Sequence, residues 1–219
     1  MNFYTNALQR GNQIFVRAVV NGERQNFKIR YRPTLFSPVN QETGYKTLDG
    51  VPVLPIEFDS IKEAKEWVES HKSQPELVYG NTQFAYNYIS DTYKNQVDWD
   101  LNKILIVTVD IEVQCENGFP SAKEAEEEML SITVKNHQSK RIVVFGLHDF
   151  TTNRDDVTYI QCESEVHLLK EFLVFWEKHQ PDIVTGWNTE FFDIPYICNR
   201  IKKLFGEDVF EGFTILDQG

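Results

Sequence analysis

The stretch Lys103-Ile-Leu-Ile-Val-Thr-Val-Asp-Ile-Glu-Val113 sets the fold of this chain. Residues 104–109 form an apolar run suited to the interior of a sheet, and the run ends in two acids separated by one isoleucine. Side chains of a strand alternate faces, so Asp110 and Glu112 share a face while Ile111 points the other way. Two adjacent carboxylates repel each other and are costly at a buried strand end unless a positive charge sits between them. Two readings stay open at this point: a divalent metal site, or a strand that has reached solvent.

Working outward, 219 residues with 16 Phe, 9 Tyr and 4 Trp are enough for one large domain or two small ones, and too aromatic for a disordered acidic tail. Charge is uneven. Residues 1–100 carry 11 Lys/Arg against 12 Asp/Glu, whereas residues 101–219 carry 11 against 21. Acids thus gather in the half that holds the 103–113 strand, and non-specific duplex binding through clustered cations is disfavoured. Met1-Asn-Phe-Tyr-Thr does not read as a signal peptide, and no apolar run is long enough to span a bilayer, so no membrane role is expected. Cys115, Cys162 and Cys198 are scattered and read as reduced thiols of a cytoplasmic protein.

Residues 12–32 predict a hairpin around Asn21-Gly22, with Lys28, Arg30 and Arg32 forming a basic stripe on one face. A second short pair is predicted around Asp49-Gly50. A helix opens after Asp59-Ser60, where Ser60 and Glu63 have capping-box spacing. A short strand is expected at 77–79 and a helix at 82–93. These elements make residues 1–100 an α+β domain. Residues 101–219 then predict the 103–113 strand, a hairpin from 130–134 and 141–145, and a strand at 157–160. A helix follows at 163–179, with Val166, Leu169, Phe172, Leu173 and Trp176 inward, then a strand at 183–185 and a helix at 192–205. That order implies a mixed sheet flanked by helices.

Thr185-Gly-Trp-Asn-Thr-Glu-Phe-Phe-Asp-Ile-Pro-Tyr196 leaves a strand and enters a helix, a common location for active-site groups. Asp193 lies in the first helical turn, where it either complements the helix dipole or serves chemistry, and Asn188 stands at the loop end, where on the plain reading it caps the helix. Three carboxylates on a strand end and a helix start suit a two-metal phosphodiester site. Oxygen-only ligands favour Mg²⁺ or Mn²⁺ over zinc. His71, His137, His148, His167 and His179 form no ligand-like pair.

Asp110-Ile111-Glu112 resembles the first exonuclease motif, and Asn188 through Phe192-Asp193 the second, of the 3′–5′ proofreading domain of family B DNA polymerases. Tyr88-Ile-Ser-Asp-Thr-Tyr93, Asn117-Gly-Phe-Pro120, Thr185-Gly-Trp-Asn188 and Ile194-Pro-Tyr196 are similar to the tailed-phage branch. The resemblance implies a polymerase N-terminal domain at 1–100, then a ribonuclease H-like α/β exonuclease domain with a mixed sheet at 101–219. It also implies Asp110, Glu112 and Asp193 as catalytic metal ligands for two Mg²⁺ (or Mn²⁺) ions in the complete site. Asn188 would order that site. Phe119 would wedge against an unpaired 3′ end, and Phe192 would help hold the terminal base, although Phe192 also reads as simple packing. Stacking suits a nuclease that accepts any base.

The family's third motif, a Tyr followed four residues later by Asp, has no counterpart after Asp193, where Glu207, Asp208, Glu211 and Asp217 crowd the end. The expectation is therefore an N-terminal fragment, with a truncated exonuclease domain and no polymerase active site. It would cleave single-stranded DNA poorly unless a second polypeptide supplies the missing segments. Its setting would be the cytoplasm of a phage-infected bacterium, and its substrate single-stranded or primer-template DNA. Two alternatives stand beside this one: a catalytically incomplete module binding template or RNA through Lys28, Arg30 and Arg32, and an inert remnant.

Overall fold

The computed structural model describes residues 2–95, 97–116 and 118–213, with the backbone alone described for 211–213. Asn117 of the Gly-Phe-Pro loop and the end of the chain from 214, including Asp217, lie outside the described residues. The chain divides into two compact units, one reaching Trp99 and one beginning at Asp100.

In the first unit, β1 (Phe3–Arg10), β2 (Gln13–Val20) and β3 (Glu23–Arg30) form an antiparallel sheet in that order. Asn21 and Gly22 both take positive φ (54° and 87°), as the predicted two-residue turn requires. A second sheet holds β4 (Thr34–Pro38), β5 (Tyr45–Lys46) and β6 (Pro52–Glu57), with β6 in the middle. Helix α1 (Ile61–Ser70) starts at Ser60, whose hydroxyl accepts the Glu63 N–H (3.2 Å), while the Glu63 carboxylate accepts the Asp59 N–H (2.8 Å). After helix α2 (Phe84–Thr92), the unit's apolar centre is complete: Ile14, Val16, Leu35, Ile61 and Phe84 are buried within it. The strand expected at 77–79 is instead a 3₁₀ turn, Pro75–Leu77, followed by a single bridge from Tyr79 to Phe36. Pro75 at the first position of that turn fixes a helical φ and steers the chain away from a strand.

The second unit carries a five-stranded mixed sheet ordered β10-β9-β8-β7-β11. Strands β7 (Ile106–Val113), β8 (Met129–Asn136) and β9 (Ile142–Gly146) pair antiparallel. Strand β10 (Val157–Gln161) lies parallel to β9. Helix α3 (Glu165–His179) precedes β11 (Ile183–Thr185), which lies parallel to β7. Helices α4 (Asp193–Phe205) and α5 (Glu207–Phe213) complete the described unit, and Gly206 ends α4 at φ 91°. Val109, Ile111, Ile132 and Phe145 of the sheet meet Leu168, Leu169 and Phe172 of α3 and Tyr196, Ile197 and Ile201 of α4. Each such fully buried apolar side chain stabilises the unit by about 1.5–3 kcal/mol. The inward face of α3 departs from expectation: Val166 is exposed and Leu173 only partly buried, and the buried stripe is Glu165, Leu168, Leu169, Phe172 and Trp176.

Candidate functional site

The two acids of β7 occupy the same face of the strand and both are exposed, while Ile111 between them is buried. Strand β11 pairs with β7 only as far as Thr185↔Thr108. Beyond that point the backbone of β7 on this side meets the connection from β11 to α4. Gly186 sits so close that a Cβ there would overlap Thr189 Oγ1 and stand 2.6 Å from the Val109 carbonyl oxygen. Its φ is not in the left-handed region, so a side chain is excluded by space alone. The Thr189 hydroxyl is buried beneath this contact and has no hydrogen-bond partner among the described residues.

Asn188 then takes φ 58°, a conformation that asparagine tolerates better than most residues, and its carbonyl accepts the N–H groups of Phe191 and Phe192. This settles its local role as a turn residue. The N-cap position of α4 belongs to Phe192, without any side-chain cap, so the capping alternative for Asn188 does not hold. Asp193, first residue of α4, is 4% exposed, and its Oδ1 accepts the Ile111 N–H at 3.0 Å. The buried acid therefore docks on the residue that separates Asp110 from Glu112. Burial first, and then the negative charges of Asp110 and Glu112, push the Asp193 carboxyl above the usual carboxylate range, against the lowering effect of the Ile111 N–H.

Among the described residues, no group of three His, Cys, Asp or Glu side chains is gathered tightly enough to enclose a metal ion. What the structure brings together is charge: two exposed carboxylates and one buried one, from neighbouring elements, each unfavourable to the other. Phe119, 82% exposed in the 113–129 connection, has its ring centroid 5.0 Å from that of Phe192, and Phe192 in turn lies 5.6 Å from Tyr196. Phe192 is half-buried, so packing and presentation at the surface coexist in it.

Trp187 and Phe191 are also strongly exposed, next to the Asn188 turn, and sequence reasoning assigned them no part. Their signal was available: large aromatics placed among polar residues in a loop. The predicted basic stripe is only partly realised. Lys28 and Arg30 are exposed on β3, but Lys28 lies over the Phe15 ring, and Arg32, past the strand end, is paired with Asp59. Phe15 draws Lys28 down by cation–π attraction, and Asp59 neutralises Arg32, which leaves a weaker field than three free cations.

A sheet in this order, with acids at the end of an inner strand and at the start of the helix packed against it, is a ribonuclease H-like domain. Residues 65–215 match the family described as DNA polymerase family B, exonuclease domain. The chain is 32% identical over 94% of its length to the DNA-directed DNA polymerase of Escherichia phage RB69, and 30% identical over 97% to that of Enterobacteria phage T4. It is 30% identical over 60% of its length to the DNA polymerase catalytic subunit of human herpesvirus 7, covering 13% of that protein. The chain belongs to the exonuclease-domain family of family B DNA polymerases. It spans 26% of the length of each of the two phage polymerases.

Proposed function

We propose that the second unit presents a 3′–5′ proofreading exonuclease site, hydrolysing the terminal phosphodiester of a single-stranded DNA 3′ end as part of a replicative DNA polymerase. The observation that carries this reading is the docking of buried Asp193 on Ile111, which sets a third carboxylate beside Asp110 and Glu112. Like charges held together in a fold are relieved by a cation, and a donor set made of carboxylate oxygens fits Mg²⁺ or Mn²⁺. Asp110, Glu112 and Asp193 would hold the ions, which when bound supply an activated water and neutralise charge on the leaving oxygen. Asp193 is oriented by the Ile111 N–H, which fixes its carboxylate without a search over rotamers. Phe119 and Phe192 offer aromatic faces to terminal bases regardless of sequence, in a unit with few cations to grip phosphates. The setting of such an enzyme is the cytoplasm of an infected bacterial host.

No Tyr with an Asp four residues later follows Asp193 in this sequence. We infer that Asp110, Glu112 and Asp193 without such a pair make an incomplete ligand set, and that residues 1–219 alone degrade single-stranded DNA poorly. The test is a Mg²⁺-dependent assay on 5′-labelled single-stranded DNA, with the chain alone and with a second polypeptide carrying the downstream part of a related polymerase. Weak trimming alone, strong trimming on addition, and loss of both in Asp110→Ala are expected. Robust digestion by the chain alone, abolished in Asp110→Ala, would refute the insufficiency, and digestion indifferent to Asp110→Ala would refute the site.

A second reading is a nucleic-acid-binding role of the first unit, which draws support from exposed Lys28 and Arg30 on β3. Competition of RNA against single-stranded DNA, with and without Mg²⁺, separates the two: binding that is indifferent to Mg²⁺ and weakened by Lys28→Ala belongs to this reading.

A further inference from the structure

Helix α4 does more than present Asp193. One of its faces carries Tyr196, Asn199, Arg200 and Lys203, spaced three and four residues apart, and all four reach the connection between β7 and β8. The Tyr196 hydroxyl donates to the Glu127 carbonyl (2.7 Å), and Asn199 Nδ2 to the Ala122 carbonyl (2.9 Å). Arg200 Nη1 donates to the carbonyls of Ala125 (2.9 Å) and Glu126 (2.8 Å), and Lys203 pairs with the Glu126 carboxylate. Arg200 is itself gripped by Glu165 at the start of α3, through Nε (2.7 Å) and Nη2 (2.6 Å). Glu165 Oε1 also accepts the Met129 N–H (2.8 Å) where β8 begins. Glu165, Arg200 and Tyr196 are all buried.

Among its described residues, the connection has no helix or strand of its own between β7 and β8. Its run Lys123-Glu-Ala-Glu-Glu-Glu128 is self-repelling, and Ala125 is both buried and left-handed at φ 43°, a conformation alanine does not choose unaided. Side chains of α4 take up four carbonyls of the connection, and the Ala125 N–H donates to the Ser121 carbonyl (2.8 Å), so the left-handed residue is held by α4 and by its own turn. Phe119 stands in the same connection, with its ring against Phe192 at the start of the same helix.

We propose that Arg200, braced by Glu165, is a positioning residue that fixes the connection on α4 and thereby sets the Phe119 ring against Phe192, beside Asp193. The aromatic mouth is then as rigid as the helix that bears the acid. The functional consequence rests on the 3′-end reading above, and the positional claim does not.

Two readouts test it. In protein labelled with fluorophenylalanine, the Phe119 signal (identified by its loss in Phe119→Leu) reports the ring's environment without DNA. A short single strand with 2-aminopurine at its 3′ end, in Ca²⁺, reports stacking at the mouth. Arg200→Lys keeps a charge against Glu165 but cannot serve both carbonyls, and Asn199→Ala combined with Tyr196→Phe provides a milder perturbation should Arg200→Lys fail to fold. Each is expected to shift or broaden the Phe119 signal. Each is also expected to weaken probe binding by no more than Phe119→Ala does, about tenfold for a lost base–aromatic stack, and to add nothing in combination with Phe119→Ala. An unchanged Phe119 signal in folded variants overturns the positioning, as does a binding loss additive with that of Phe119→Ala. If the parent chain does not bind the probe, the 3′-end reading fails, while the fluorine signal still decides the positional claim.

Discussion

Replacing Gly186 by alanine adds one methyl group where the backbone of β7 and Thr189 leave no room for it. Its Cβ would overlap the Thr189 hydroxyl oxygen and lie 2.6 Å from the Val109 carbonyl oxygen, with Thr189 Cβ at 3.3 Å. The hydroxyl can rotate away but the carbonyl belongs to β7, so the 186–189 connection must move off the strand. Overpacking of this kind costs about 1–3 kcal/mol, several degrees in the thermal midpoint of the unit. The companion change Thr189→Ala removes a hydroxyl that is buried without a partner, so it should cost little by itself. The double variant should recover part of the loss and no more, because Val109 stays in place. Thermal and urea unfolding of the four proteins gives the coupling directly. Movement of the connection also displaces Asn188 and Asp193, so Gly186→Ala should lose Mg²⁺-dependent stabilisation as well. A Gly186→Ala protein as stable as the parent would refute the packing described for this junction.

Asp193→Asn keeps an acceptor for the Ile111 N–H while deleting the charge. Because the folded protein holds the Asp193 proton more tightly than the unfolded chain, the parent's stability should fall as pH rises from about 4, the ordinary carboxylate value, through the raised value. In EDTA the Asn variant should therefore be more stable than the parent at neutral pH, and its stability should fall less with pH. In Mg²⁺ it should lose the parent's gain, about 1.4 kcal/mol at ten times the dissociation constant; an Asn variant less stable in EDTA sinks the charge argument. Arg200→Met should cost about 3–5 kcal/mol in urea unfolding, because it leaves the buried Glu165 carboxylate without its cation; a loss below about 1 kcal/mol would show that water compensates Glu165. Maleimide should label exposed Cys115 first, with Cys162 and Cys198 slow, since burial pushes both thiols up. Peptide mass spectrometry reads the order, and equally fast Cys198 labelling contradicts the packing of α4.

Elements announced by local chemistry were legible in the sequence: the Asn21-Gly22 turn, the Ser60–Glu63 cap, the apolar run into Asp110, and the helix that Asp193 opens. Elements held by non-local partners were not. Strand β1 has only Phe3 fully buried along its length, so its alternation is faint, and β4 lies between Pro33 and Pro38, which read as breaks. In the site, residue types and spacing pointed to the three acids, but nothing in the spacing disclosed that Asp193 is buried while its two companions are exposed. Arg200 escaped notice because a charged residue on an amphipathic helix is ordinarily solvated; its neighbours Tyr196, Ile197 and Ile201 on the buried face were the missed clue. Gly186 is explained by the Val109 carbonyl, 77 positions earlier, which no local pattern reveals.

Strand β11 stops at Thr185, and further along β7 the Ile111 N–H is received by a side chain instead of a neighbouring strand. Asp193 thus closes the edge of the sheet as well as carrying a charge. An alanine at this position would open a backbone donor to solvent and loosen the strand that bears Asp110 and Glu112, so loss of activity in such a variant would confound chemistry with architecture. For a test of the proposed site asparagine is the better control, and comparing it with alanine separates what the carboxylate does as a charge from what it does as a peptide-bond substitute.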